Sequence, residues 1–256
     1  MHGLPLEAEF LAFAKAPRGA VEGGLLVARV LDAACAVEWV EAELQRLADT
    51  AGPGADPMDV LETLETAGFR GAEDYYAMAN SSLEQVLRTR RGIPISLALV
   101  VIGVAERLEL SATGINFPRH FLVQVEDRLI DPFACCIVDD AWLTAALNEQ
   151  QLDRSQALAP ASPVDIVLRM LNNLRMIAVQ RGEPARALDF TGYQLMLGAD
   201  PLPLHVARAD LWIAAGVPDM ACHELDHAIA LAPTSDLRAR LEVRRRVLAS
   251  APSRVH

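Results

Sequence analysis

The sequence predicts an α+β chain: an N-terminal domain over residues 20–150 that carries a small β-sheet, then an all-α helical region over residues 164–250. Three observations lead there. Apolar residues recur at three- and four-residue steps through most of the chain, which is the helical period. Two short β-like runs, residues 120–125 (HFLVQV) and 128–131 (RLID), are separated only by Glu126-Asp127, which is hairpin spacing. After residue 163 strand signals stop, and a 34-residue internal spacing takes over. Aromatic residues make up only 5% of the chain while Ala, Leu and Val abound, which favours packed helices over a β-sandwich.

The elements follow in order. Residues 20–50 keep helical periodicity through Leu25, Val27, Val30, Leu31, Ala34, Val37, Val40, Leu44 and Leu47. Residues 51–57 (AGPGADP) break it with Gly and Pro. A helix is expected from Met58 to Ala67, ended by Gly68, and a shorter one after Asn80, capped by Ser81 or Ser82 with Leu83, Val86 and Leu87 inward. Pro94 suits the first position of the next helix, where its missing N–H has no partner to lose. Residues 95–108 are apolar nearly all round, so this helix should be the centre of the domain.

The hairpin carries a geometric expectation. With a two-residue turn at Glu126-Asp127, Val125 pairs with Arg128 and Leu122 with Asp131. Side chains alternate along a strand, so His120 shares a face with Leu122. His120 and Asp131 then become diagonal neighbours, about 5.5–8 Å apart at their β-carbons, within reach of an imidazole–carboxylate hydrogen bond.

Residues 151–163, with Ser155, Pro160, Ser162 and Pro163, read as a linker. Beyond them Gly182-Glu-Pro184-x-x-Ala187 returns 34 residues later as Gly216-Val-Pro218-x-x-Ala221, followed by Ala228 and Pro233. Those offsets resemble a tetratricopeptide repeat, although the first copy has Gln194 where the second alanine belongs and Pro201 two residues late. Two units plus a last helix near residues 236–248 make a short array. His223-Glu224-Leu225-Asp226-His227 matches the HExxH zinc signature. The repeat phase turns Ala221, Leu225 and Ala228 inward and leaves His223, Glu224 and His227 outward. With no third ligand in view, no metal site is expected.

Composition narrows the function classes. A net charge of −11 repels phosphate backbones, so nucleic-acid binding is not expected. The basic spots at Arg88, Arg90 and Arg91 and at Arg244 to Arg246 read as solvated faces with acidic partners. Residues 93–105, the longest apolar stretch, are interrupted by Ser96 and Gly103, too short to span a bilayer. Met1-His2-Gly3-Leu4 opens without a leader pattern. Cys35, Cys135, Cys136 and Cys222 follow no disulfide framework, so the expectation is a cytoplasmic protein with reduced thiols, without a membrane and without a cofactor. The oligomeric state is not legible.

Several motifs together resemble one family. They are Tyr75-Tyr76, Asn80-Ser81-Ser82-Leu83-x-x-Val86-Leu87, Arg91-Gly-Ile-Pro-Ile-Ser-Leu97, Asn116-Phe-Pro-x-His-Phe-Leu122, Ile130-Asp-Pro-Phe133 and Leu168-Arg-Met-Leu-Asn-Asn-Leu174. This set, across residues 60–235, resembles the bacterial SirB-type family, transglutaminase-like proteins with a C-terminal tetratricopeptide region. The resemblance implies a papain/transglutaminase-like N-terminal domain. In active relatives of that fold a Cys at the start of the central helix works with a His and an Asp on adjacent strands. Aligned so, His120 and Asp131 fill two roles and Pro94 stands in the place of the Cys, as in many SirB-type proteins. After Asp131-Pro-Phe the chain departs from the family's small, glycine-rich sequence with Ala134-Cys135-Cys136.

The candidate catalytic residues are therefore His120, Asp131 and Ser96, with Asn80, Pro94 and Asn116 as binding candidates. Proline offers no nucleophile, whereas a Cys at a helix start is activated by the dipole and an imidazole. Ser96 could face the histidine, or it could cap the helix. Cys135 or Cys136 could supply a displaced thiol, or lie inert. The expected function is a degenerate, binding or regulatory protein whose repeats contact a protein or peptide. The competing class is a hydrolase or acyltransferase using His120 and Asp131 with Ser96 or one of those cysteines.

Overall fold

A computed structural model of the chain describes residues 5–250. The first four residues, including the Met1-His2-Gly3-Leu4 opening, lie outside the described residues. The chain divides into two compact units, Met1–Met170 and Leu171–His256.

The first unit contains α1 (Leu6–Lys15), α2 (Ala20–Leu31), α3 (Val37–Ala51), α4 (Pro57–Thr66), β1 (Arg70–Gly71), a 3-10 turn at Met78–Ser81, α5 (Leu83–Thr89), β2 (Arg91–Gly92), α6 (Pro94–Arg107), β3 (Ala112–Ile115), β4 (Leu122–Val125), β5 (Arg128–Asp131), β6 (Cys136–Ile137), α7 (Asp140–Gln150), α8 (Arg154–Ala157) and the start of α9 (Pro163–Gln180). The periodic stretch 20–50 is two helices. Asp32 divides them, its carboxylate accepting the Ala34 N–H at 2.9 Å and turning the chain before α3 begins. Asp56 caps α4 in a reciprocal capping box with Asp59, with Pro57 at the first position. Ser82 caps α5, as the pattern predicted.

α6 is the centre. Every residue from Ile95 to Ala105 is buried, and the helix packs against α2, α3, α4, α5 and strands β3 and β4. Each fully buried Leu, Ile or Val contributes about 1.5–3 kcal/mol relative to an exposed one, so this helix dominates the core. The β-structure is larger than the hairpin. β3, β4, β5 and β6 form an antiparallel sheet in chain order, and β1 pairs with β2 in parallel. The hairpin register is the expected one, with Val125 opposite Arg128 and Val123 opposite Ile130. However, β4 starts at Leu122, so His120 is not a strand residue.

The stretch 151–163 is structured. Asp153 caps α8, Ala157 is buried against Ile115, Phe117 and Leu143, and Pro160 bridges Ile115 on the sheet edge. Ser162 and Asp165 exchange hydrogen bonds that start α9. The Ser and Pro content that resembled a linker is therefore capping chemistry.

The second unit continues from within α9 through α10 (Pro184–Met196), α11 (Pro201–Ala214), α12 (Pro218–Leu231) and α13 (Ser235–Ser250). The 34-residue spacing falls on equivalent joints. Gly182 and Gly216 both take positive φ, 68° and 76°, where a residue without Cβ ends a helix at least cost. Pro184 and Pro218 then open α10 and α12. Ala209, Ala221, Leu225 and Ala228 are buried, so small side chains line the contacts of α11 with α12. Among the described residues no helix is long and apolar enough to cross a membrane.

Candidate functional site

His120 and Asp131 meet, although His120 arrives from a loop. Between β3 and β4 the chain turns through Pro118-Arg119, and Arg119 has φ of 64°. The turn is closed by the His120 N–H donating to the Phe117 carbonyl at 3.0 Å. Phe117 and Phe121 are fully buried on either side and anchor it. Arg169 on α9 clamps the same loop, donating to the Asn116 side-chain oxygen and to the His120 carbonyl at 2.8 Å.

Asp131 ends β5. Its Oδ1 accepts the Phe133 and Ala134 N–H groups at 2.9 and 3.1 Å. Its other oxygen faces the imidazole, with Nδ1 of His120 at 3.9 Å. That separation is an ion-pair distance, and a direct hydrogen bond needs about 1 Å of closure. The edge of Trp142 abuts His120 with ring centroids 5.2 Å apart. The imidazole is thus held between an aromatic edge and a carboxylate whose orientation the backbone fixes.

The start of α6 is closed. Pro94 occupies the first helical position and is partly exposed. Ser96 is fully buried. Its hydroxyl donates to the Asn80 carbonyl at 2.6 Å and accepts the Ile93 N–H at 3.1 Å. Asn80 in turn donates its side-chain amide to the Asp74 carbonyl at 2.5 Å, tying the Tyr75-Tyr76 segment to the helix start. Gly71 on β1 lies under the Phe133 ring, and a Cβ there would penetrate the ring. So Asn80 and Ser96 form one polar joint, and Asn116, His120 and Asp131 belong to another around Arg169 and Trp142.

The cysteines sit in unfavourable surroundings for a thiolate. Burial, then nearby acidic groups, push the Cys135 and Cys136 thiols up. Cys35 is raised to about 12 by burial and by Glu84. All four cysteines are free.

In the second unit Glu224 is not outward, as the repeat phase had suggested. It is buried, accepting from His205 at 2.7 Å and Arg208 at 2.8 Å. Burial raises its carboxyl, but the His205 and Arg208 hydrogen bonds outweigh this and hold it below the usual range. That carboxylate is therefore committed to a structural network. His223 and His227 are exposed, with their Nε2 atoms 3.1 Å apart. Among the described residues no group of three or more His, Cys, Asp or Glu side chains is arranged to hold a metal.

Sequence reasoning missed Arg169 and Trp142 as neighbours of His120. Arg169 stood inside the quoted 168–174 motif and Trp142 is one of three tryptophans, but neither spacing points back to a loop some 20 to 50 residues earlier. The Arg88 and Arg90 charges do have acidic partners, Glu84 and Glu43, and Arg244 and Arg245 pair with Asp210 and Asp226.

Comparison with known proteins places the chain in a family. The transglutaminase-like superfamily profile matches residues 38–172. A UPF0162 protein of Pseudomonas aeruginosa is 33% identical over 201 residues, covering 75% of this chain and 74% of the relative. A UPF0162 protein of Vibrio cholerae is 30% identical over 199 residues, covering 70% and 74%. F-box only protein 21 of Homo sapiens is 37% identical over 151 residues, which are 54% of this chain and 23% of that protein. No solved structure matches the chain significantly. With just over half its length under that profile and a relative a third identical across about three quarters of both chains, the protein belongs to the transglutaminase-like superfamily, alongside the bacterial UPF0162 proteins.

Proposed function

We propose that this protein is a catalytically degenerate, SirB-type member of the superfamily that works by binding rather than by acyl transfer. Its helical second unit would act as a tetratricopeptide-like module receiving a protein or peptide segment. The start of α6 carries this reading. Pro94 holds the first helical position, where the resemblance implies a Cys in active relatives, and it has no nucleophilic atom. Ser96 is sealed and spends its hydroxyl on Asn80 and Ile93, which argues for a cap and against a nucleophile. Raised thiols argue the same for Cys135 and Cys136, since the thiolate is the reactive form.

What remains is a shaped contact surface. The His120 loop brings its imidazole beside the Asp131 carboxylate and the Trp142 ring of α7, while Arg169 of α9 holds the loop in place, an arrangement suited to holding a ligand without attacking it. The repeat reading is supported by the matching Gly-Pro joints 34 residues apart and by the small-residue packing of α11 with α12. Four free cysteines suit a reducing compartment such as the cytoplasm.

The test is labelling of the full chain with iodoacetamide and with a fluorophosphonate, compared with His120→Ala. The expected result is weak labelling that His120→Ala leaves unchanged. Labelling of Ser96, Cys135 or Cys136 that falls on removal of the imidazole would overturn the proposal in favour of a hydrolase or acyltransferase.

A further inference from the structure

A large cavity of about 1090 Å³ opens between α1, α2, α3 and the last turn of α6. At a rise of about 1.5 Å per residue, Glu106 stands about 18 Å along α6 from Pro94, so the cavity is separate from the His120 loop's neighbours at the helix start. Cavities of roughly 300–1,000 Å³ hold ligands of drug size.

Its walls are apolar where Phe13, Val21, Leu25 and Leu26 contribute, and all four are buried. Its charged lining is almost self-neutralising. Arg18 pairs with Glu22, Arg29 with Glu9 and Arg107 with Glu41. Glu106 is the surplus. Among the described residues its carboxylate has neither a hydrogen bond nor an ion pair within 4.0 Å.

Two features make that carboxylate receptive to a positive charge. It stands in the last turn of α6, where the partial negative charge of the helix terminus adds to its own. It is also an exposed residue at the cavity's opening, where the protein packed around it, partly countered by Arg107 and reinforced by Glu41, pushes its carboxyl above the usual range. An anion would find no free partner here, since every arginine of the lining is already paired.

We infer that this cavity binds a small organic cation, an arylalkylammonium whose charged head meets Glu106 while its apolar body lies against Phe13, Val21 and Leu25. Both halves are needed. The ammonium supplies the one missing counter-charge, and apolar walls add about 25 cal/mol for each Å² they remove from water.

The experiment titrates the full chain with three probes of equal body, 4-phenylbutylammonium, 4-phenylbutanol and 4-phenylbutyrate, by calorimetry. The ammonium is expected to bind at least about tenfold more tightly than the alcohol, with the carboxylate weakest. Glu106→Gln should abolish that preference and leave the alcohol's affinity unchanged. A methyl-resolved NMR spectrum of the unsubstituted protein should show the phenyl ring against Val21 and Leu25, which locates the site without relying on the variant's fold. Equal affinity for ammonium and alcohol, a preference that survives Glu106→Gln, stronger binding of the carboxylate, contacts at other methyl groups, or no binding would each overturn the inference.

Discussion

The two ends of α6 solve opposite problems. At the start, nearly every polar group has a partner inside the fold. Ser96 answers Ile93 and Asn80, Asn80 answers Asp74, and Pro94 brings no N–H that needs one. At the other end, a cavity of about 1090 Å³ remains open and, among the described residues, the Glu106 carboxylate has no partner. In active members of this fold, as the resemblance implies, chemistry sits at the helix start. Here the polar groups at that end are spent on one another, and the unpaired carboxylate lies at the other. The contrast shows that a helix terminus is only a potential site: its dipole is always present, but which residue stands there decides whether it acts.

The largest expected effect tests whether the start of α6 is a structural joint. Ser96→Ala leaves the Ile93 N–H and the Asn80 carbonyl without their buried partner. Each unsatisfied group costs about 1–3 kcal/mol, so urea unfolding should show a loss of about 3 kcal/mol, with iodoacetamide and fluorophosphonate labelling unaltered. A stable variant that lost labelling would break the comparison, because Ser96 would then be a reactive group and not a cap.

Next comes Gly71→Ala. The added methyl meets the Phe133 ring, and the Phe133 N–H is one of the two backbone donors that fix the Asp131 carboxylate facing His120. Overpacking of this kind costs about 1–3 kcal/mol. The expected readout is a lowered melting temperature together with a shifted His120 imidazole resonance. A shift at His120 without destabilisation would mean that the ring adjusts freely, and that this end is looser than its packing implies.

Pro94→Cys sharpens the same contrast by restoring a thiol at the helix start, where the dipole favours thiolate. Its alkylation by iodoacetamide at neutral pH should run at least about tenfold faster than that of Cys35, whose thiol is pushed up to about 12. Adding His120→Ala should slow it. An inert thiol in the Pro94→Cys variant would show that shape as well as composition has closed this end.

Much of this was legible in the chain because the signals are local. Pro94 with an unbroken apolar run gives α6, Ser82 gives the α5 cap, and a two-residue Glu126-Asp127 turn gives the β4–β5 register. The Gly-Pro joints at 182–184 and 216–218 mark helix ends by backbone conformation alone. What was not legible depended on contacts between distant segments. Residues 120–125 look extended in sequence, but Pro118, the positive φ of Arg119 and the Arg169 clamp hold His120 in a loop. Residues 151–163 looked like a linker because Asp153 and Ser162 are also loop formers, and only the packing of Ala157 and Pro160 against the sheet reveals their capping roles. Repeat phase points Glu224 outward, and the half-buried donors His205 and Arg208 on α11 draw it in. The cavity left no sequence mark at all, since it is bounded by four helices that meet only in the fold.

The smallest effect belongs to the other end of α6. Glu106 has a carboxyl raised above its ordinary value of 4.5, chiefly by burial. The folded protein therefore holds this proton more tightly than the unfolded chain does, and the group's contribution is fully present below about pH 4.5 and lost as pH rises through the folded value. At neutral pH the ionised carboxylate is a mild liability, which Glu106→Gln removes. Because the side chain also reaches solvent, the gain should stay under about 0.5 kcal/mol. The check is the difference between the two proteins' unfolding free energies from pH 4 to 8. The difference should grow with pH in favour of the variant, since the neutral amide also removes the repulsion between Glu106 and Glu41. A variant less stable at pH 7 would mean that the ionised carboxylate already has a stabilising partner in the free protein, and the two ends of α6 would then be equally self-satisfied.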